Sequence, residues 1–159
     1  MENNYSNNDE VIDVLNDLIQ INNDRIEGYE KAKEDTKGNS EYESLFNEMI
    51  SESRGYKQEL VQEVRSIGGD ADWNETTNSG KIYRVWMDVK SAFTGKSDKS
   101  ALELCEFGED AAQKAYKEAL EDDANVPASV RTLLMTQKSK LKESHDRVKA
   151  LRDMHHANA

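Results

Sequence analysis

The residues in this chain best suited to chemistry are its carboxylates and three histidines, and they can be set against a known requirement. A helical bundle that holds two metal ions takes a Glu from each of two helices and a Glu-x-x-His from each of the other two. The spacing of three aims both ligands from one helical face. Lys142 stands three positions before His145, Arg152 before His155 and Asp153 before His156, so the chain contains no Glu-x-x-His. A degenerate iron or manganese site remains conceivable from carboxylates alone, with Glu30, Glu52 and Glu109 as candidates and His145 as the one nitrogen donor among them. Nucleophilic chemistry has little to work with. The lone Cys105 lies among small residues, where a thiol behaves as a small hydrophobe, and a Cys105–His145 pair would need two facing helices. The glycines form no phosphate-binding loop and no dinucleotide fingerprint. No residue is assigned a catalytic role.

The elements that would position these groups follow from hydrophobic periodicity. Five helices are predicted, at about 9–36, 40–67, 81–94, 98–122 and 127–155, within a single domain spanning 9–155 behind a flexible N-terminus of residues 1–8. In the first, Val11, Leu15, Leu18, Asn22, Ile26 and Tyr29 make one stripe, with Asn7, Asn8 or Asp9 available as a cap. The second starts on Ser40-Glu41-Tyr42-Glu43, which has capping-box spacing, and its stripe is Tyr42, Phe46, Met49, Ser53, Tyr56, Leu60, Val64 and Ile67. Gly68-Gly69 stop it. Ala101, Cys105, Gly108, Ala112, Ala115 and Ala119 give the fourth a face of small side chains. The last opens at Pro127 and shows Val130, Leu134, Gln137, Leu141, His145, Val148 and Arg152.

Connection lengths select a topology. The first two helices are joined tightly, as are the last two, while the stretch from Gly68 to Ser97 between the pairs is long enough to run the length of a bundle. That stretch holds the short helix at 81–94, with Ile82, Tyr83, Trp86, Val89 and Phe93 on its inner side. An all-α, ferritin-like four-helix bundle with one long crossover is the architecture this describes.

On these helices the candidate carboxylates are poorly aimed. At 100° per residue Glu27 lies about 140° from the centre of its stripe, Glu106 about 120°, Glu52 about 80° and Glu109 about 60°. Only Glu109 and Glu30 can turn inward. The groups that do interrupt the apolar stripes are Asn22, Ser53, Gln137 and His145, a buried polar layer. Unpaired, each would cost on the order of 1–3 kcal/mol, so they are expected to bond to one another or to water. Such a layer reads as a device that fixes helix register, or as an altered active-site layer in which amides and a hydroxyl replace carboxylates.

Composition bounds the partners. Leu, Ile, Val and Phe total 30 residues, near the level that accompanies disorder when net charge is high, yet the few large apolar residues sit where one core needs them. No run approaches the roughly 18 apolar residues of a membrane span. A net charge of −11 opposes nucleic acid and anionic lipid. Residues 126–159 carry seven Lys or Arg and three acids. This reads either as a basic surface for an acidic partner or as a basic last helix lying beside acidic helices of its own fold. The second is more in keeping with basic residues scattered around the helix and interrupted by acids. A single cysteine and the absence of a basic and apolar leader give a cytoplasmic expectation.

Three stretches carry a resemblance: Val14-Leu15-Asn16-Asp17-Leu18-Ile19-Gln20 with Asp24-Arg25-Ile26-Glu27-Gly28-Tyr29, then Glu106-Phe107-Gly108-Glu109-Asp110, then His145-Asp146-Arg147-Val148-Lys149-Ala150-Leu151-Arg152-Asp153. On these the chain resembles a family of uncharacterised bacterial proteins with a ferritin-like four-helix bundle. The resemblance implies that fold and a bacterial origin, and no activity. Two functions from different classes are therefore carried forward. One is a non-enzymatic bundle without cofactor, acting through self-association as a homo-oligomer or through a protein partner. The other is a degenerate di-metal carboxylate protein, holding iron or manganese, with oxidase or iron-handling activity.

Overall fold

The computed structural model describes residues 2–71, 98–121 and 126–157, all within or beside four helices: α1 (Glu2–Asp35), α2 (Ser40–Ser66), α3 (Asp98–Glu121) and α4 (Ala128–Ala157). The helix expected at 81–94 lies outside the described residues. The other boundaries agree with the periodicity to within two residues, except that α1 begins at Glu2 and so runs through the stretch expected to be flexible.

The chain turns between helices as its local chemistry dictates. Asn39, and not Ser40, caps α2: its side-chain oxygen accepts the Tyr42 N–H at 3.2 Å. At the other end of α2 the Gly69 N–H donates to the Val64 carbonyl and the Gly68 N–H to that of Arg65, with Gly68 at φ +83°. This is a Schellman arrangement, and its left-handed residue favours glycine. The Pro127 carbonyl accepts the first bond of α4, from the Arg131 N–H.

Packing fixes the directions. The start of α1 (Val11, Leu15), the end of α2 (Leu60, Val64), the end of α3 (Ala115, Ala119) and the start of α4 (Val130, Leu134) share one apolar cluster. The end of α1 (Tyr29, Ala32), the start of α2 (Tyr42, Phe46), the start of α3 (Ala101, Leu102) and Val148 of α4 share a second. Helices α2 and α3 therefore run in the same direction, and the chain between Ala71 and Asp98 joins opposite ends of the bundle. A ferritin-like four-helix bundle has this connectivity. The small-residue face of α3 is buried along its length, which lets this helix approach α1 closely.

The two apolar clusters do not merge. Between them, buried polar side chains enter from every helix: Asn22 and Arg25 from α1, Ser53 from α2, Glu109 from α3, Gln137 and Ser144 from α4.

Candidate functional site

The polar layer consists of two connected networks. In the first, the Asn22 side-chain amide donates to the Leu18 carbonyl at 2.9 Å and to the Tyr116 hydroxyl at 3.0 Å. Tyr116 donates to Gln137 Oε1 at 2.6 Å, and Gln137 Nε2 reaches the Tyr56 carbonyl at 3.3 Å. One chain of hydrogen bonds thus ties all four helices together. Burial pushes the Tyr116 phenol well above its ordinary pKa, so it stays a donor.

The second network is centred on a residue that periodicity did not select. Arg25 is buried with only 3 % of its surface exposed, and its guanidinium satisfies groups from three directions. Nε donates to Glu109 Oε1 at 2.5 Å, Nη1 to Ser53 Oγ at 2.6 Å and to the Met49 carbonyl at 3.3 Å, and Nη2 to Glu52 Oε1 at 3.2 Å. Glu52 in turn accepts from Ser144 Oγ at 2.7 Å, which brings α4 into the network. The Tyr29 hydroxyl adds a second donor to Glu109 Oε1 at 2.6 Å, and its ring lies 5.3 Å from the guanidinium carbon. Burial disfavours the charge on Arg25, but Glu109 and the other groups facing it outweigh this and raise its pKa, so the cation is permanent. Burial, then the charge of Glu109, drives the Tyr29 phenol upward, and the same two causes raise the Cys105 thiol. Neither ionises at neutral pH, which leaves Cys105 a buried, inert thiol.

The sequence candidates separate on this geometry. Glu109 is fully buried at the centre, and Glu52 is half-buried at its edge. Glu30, expected to turn inward, is exposed and lies 3.5 Å from Lys33 and 3.9 Å from Arg54. It belongs to the face of α1 that water keeps. Asn22, Ser53 and Gln137 are buried as expected, but His145 is not part of their layer. Ser144 takes that place, because α4 presents Val130, Leu134, Gln137, Leu141, Ser144 and Val148 to the core in steps alternating between four and three. The ring of His145 sits to the side, with Nε2 2.6 Å from Asp110 and Nδ1 3.1 Å from Asp146. Its partial burial disfavours the charge, but the Asp146 and Asp110 carboxylates outweigh this and raise its pKa. No Cys105–His145 pair is formed, since both ring nitrogens face carboxylates.

The basic last helix finds its acids within the fold. Arg147 makes a two-pronged contact with Glu48 of α2 at 2.8 and 3.0 Å, and Arg152 pairs with Glu106 of α3. No helix among the described residues is long and apolar enough to cross a membrane.

Comparison with known proteins bears on the fold and the family. Residues 10–122 match the family described as Domain of unknown function (DUF2383). The chain belongs to this family. Membership agrees with the resemblance carried by the α1 and α3 stretches. Among solved structures, a mutant of Dps1 from Mycobacterium smegmatis superposes with a TM-score of 0.74 over 92 % of this chain and 97 % of that one, at 14 % identity. At that identity the likeness is one of fold. No curated protein matches the chain in sequence.

The fold family suggests a pair of metal ions at the bundle centre, and the residues present do not fit one. The space where carboxylates from several helices converge is filled by the guanidinium of Arg25, which already takes up Glu109 and Glu52. A divalent ion about 4 Å from that fixed charge would meet roughly 8 kcal/mol of repulsion at an effective dielectric near 20. Glu109 Oε2 and Asn22 Oδ1 lack hydrogen-bond partners among the described residues, and two single oxygens do not replace six or more ligands.

Proposed function

We propose that this DUF2383 chain is a non-enzymatic ferritin-like bundle whose centre is closed by its own cation, and that it acts by assembling with copies of itself or with a protein partner. The observation that carries this reading is Arg25, which occupies the convergence of the four helices and holds Glu109, Glu52 and Ser53. A buried guanidinium supplies the positive charge a metal would bring, without redox chemistry and without an open coordination position. Contact surfaces are available outside the core. Phe107, Met135 and Met154 are large apolar side chains left exposed. Met154 also lines a groove between α2 and α4 with Leu45 and Leu151, bordered by Glu41, Glu48 and Arg147. In this reading the protein works in a bacterial cytoplasm, which suits a chain with one buried, free cysteine.

Two measurements on tag-free protein test it together. Light scattering after size exclusion should give a mass above that of one 18.1 kDa chain. Metal analysis after iron or manganese loading should find no ion that depends on Glu109. A stoichiometric pair of ions lost on Glu109→Ala would replace this reading with a redox one, and a strict monomer that retains no partner would remove assembly from it.

A further inference from the structure

Outside the bundle centre, one cluster of side chains has the donors and the spacing of a metal site. Glu106 and Asp110 stand one turn apart on the same side of α3, and His145 faces them from α4. One ligand atom from each can be chosen so that all three lie within 4.8 Å of one another. We propose that Glu106, Asp110 and His145 bind a divalent transition metal, with zinc the preferred ion, at the surface between α3 and α4.

The donor set selects the class of ion. One imidazole nitrogen with two carboxylate oxygens suits zinc, which accepts three protein ligands and a water in tetrahedral geometry. Calcium and magnesium favour all-oxygen sites. Ligand atoms on a tetrahedral zinc at about 2.1 Å lie about 3.4 Å apart. The 2.6 Å separation of His145 Nε2 from Asp110 must open slightly and the longer separations must close. These are small rotations of side chains at the protein surface, where Asp110 is 58 % exposed, and the backbone need not move.

The surroundings favour this use. Asp146 lies 3.1 Å from Nδ1, the ring nitrogen not turned to the cluster. A carboxylate there holds the Nδ1 proton, the arrangement that orients zinc-binding histidines, and the ion takes the place of the proton that Nε2 shares with Asp110, which is released to solvent. Arg152 engages Oε2 of Glu106. A carboxylate can keep an arginine on one oxygen and offer the other to a cation. Water reaching Arg152 screens its charge, which nothing does for the buried Arg25, so the repulsion on an ion at Glu106 is several-fold smaller than at the bundle centre. The solvent-facing side supplies the water and the entry path. The site shares no side chain with the Arg25 network, so the success or failure of one leaves the other standing.

The test is zinc titration by calorimetry on a tag-free chain carrying His155→Ala and His156→Ala, which removes the terminal histidines as adventitious ligands. The expected result is one zinc per chain, weakened at least about 10-fold by His145→Ala and by Asp110→Asn. Circular dichroism melts should show both variants folded, and anomalous scattering at the zinc edge should place the ion beside His145. Absence of binding at micromolar zinc overturns the proposal, and so does stoichiometric binding that both variants leave unchanged.

Discussion

Replacing Arg25 by methionine isolates what the central cation does. The variant keeps much of the side-chain volume but leaves the Glu109 carboxylate, which has no exposed surface, with Tyr29 as its remaining donor. Breaking a buried ion pair by removing one partner costs about 3–5 kcal/mol, because the other charge stays behind without compensation. Ser53 Oγ also loses a donor, and the Met49 carbonyl loses the one it accepts from outside its own helix. Against a total stability of about 5–15 kcal/mol this is a large fraction. With a urea dependence near 2 kcal/mol per molar, a loss of about 4 kcal/mol lowers the unfolding midpoint by about 2 M. Urea unfolding followed by far-ultraviolet circular dichroism reads the shift directly. The double variant Arg25→Met with Glu109→Leu should regain about 2 kcal/mol or more relative to Arg25→Met alone, since an apolar pair fills the space without stranded charge. If Arg25→Met loses less than about 1 kcal/mol, or the double variant is no better than the sum of the singles, the central ion pair does not govern the core.

Four further outcomes follow from the structure. Tyr29→Phe removes a donor to the buried Glu109 carboxylate and should cost about 1.5–3 kcal/mol in the same unfolding experiment, the range for hydrogen bonds to charged groups. Cys105 should resist a thiol reagent in the folded protein and react only at the rate of unfolding, because burial and the neighbouring Glu109 charge hold it as the neutral thiol. Gly68→Ala places a side chain at φ +83° and should lower stability by about 1–2 kcal/mol, whereas Glu48→Gln at an exposed pair should change it by no more than about 1 kcal/mol.

Helix positions, the hairpin joints and the crossover were legible in the sequence because they rest on repeated signals: apolar spacing, Gly68-Gly69, Pro127 and the length of chain between pairs. The polar layer was legible in three of its members, Asn22, Ser53 and Gln137, for the same reason. Arg25 was missed because a charged residue beside an apolar stripe is ordinarily on the solvent side, and Ile26 offered an apolar alternative one position on. Its signal was nevertheless present. Among the buried positions of α1, Val11, Leu15, Leu18, Asn22, Arg25, Tyr29 and Ala32 make a seam that alternates steps of four and three without a break. The same alternation selects Ser144 over His145 on α4. An average turn of 100° per residue drifts away from such a seam, while the strict alternation tracks helices that coil about one another. Glu109 was within reach at about 60° from its stripe, but nothing in α3 alone announces that its partner is a cation from α1.

The parallel run of α2 and α3 has a consequence for how the molecule assembles. Each antiparallel hairpin can zip up from contacts close in sequence, as fast helical proteins do. The bonds that join the hairpins are of another kind: Arg25 meets Glu109 across 84 positions and Asn22 meets Tyr116 across 94. Their loop-closure entropy must be met before any of them forms. Misaligned docking by one turn would bury Arg25 against alkyl chains and leave Glu109 stranded. The interior ion pair thus penalises wrong registers that a purely oily seam would tolerate.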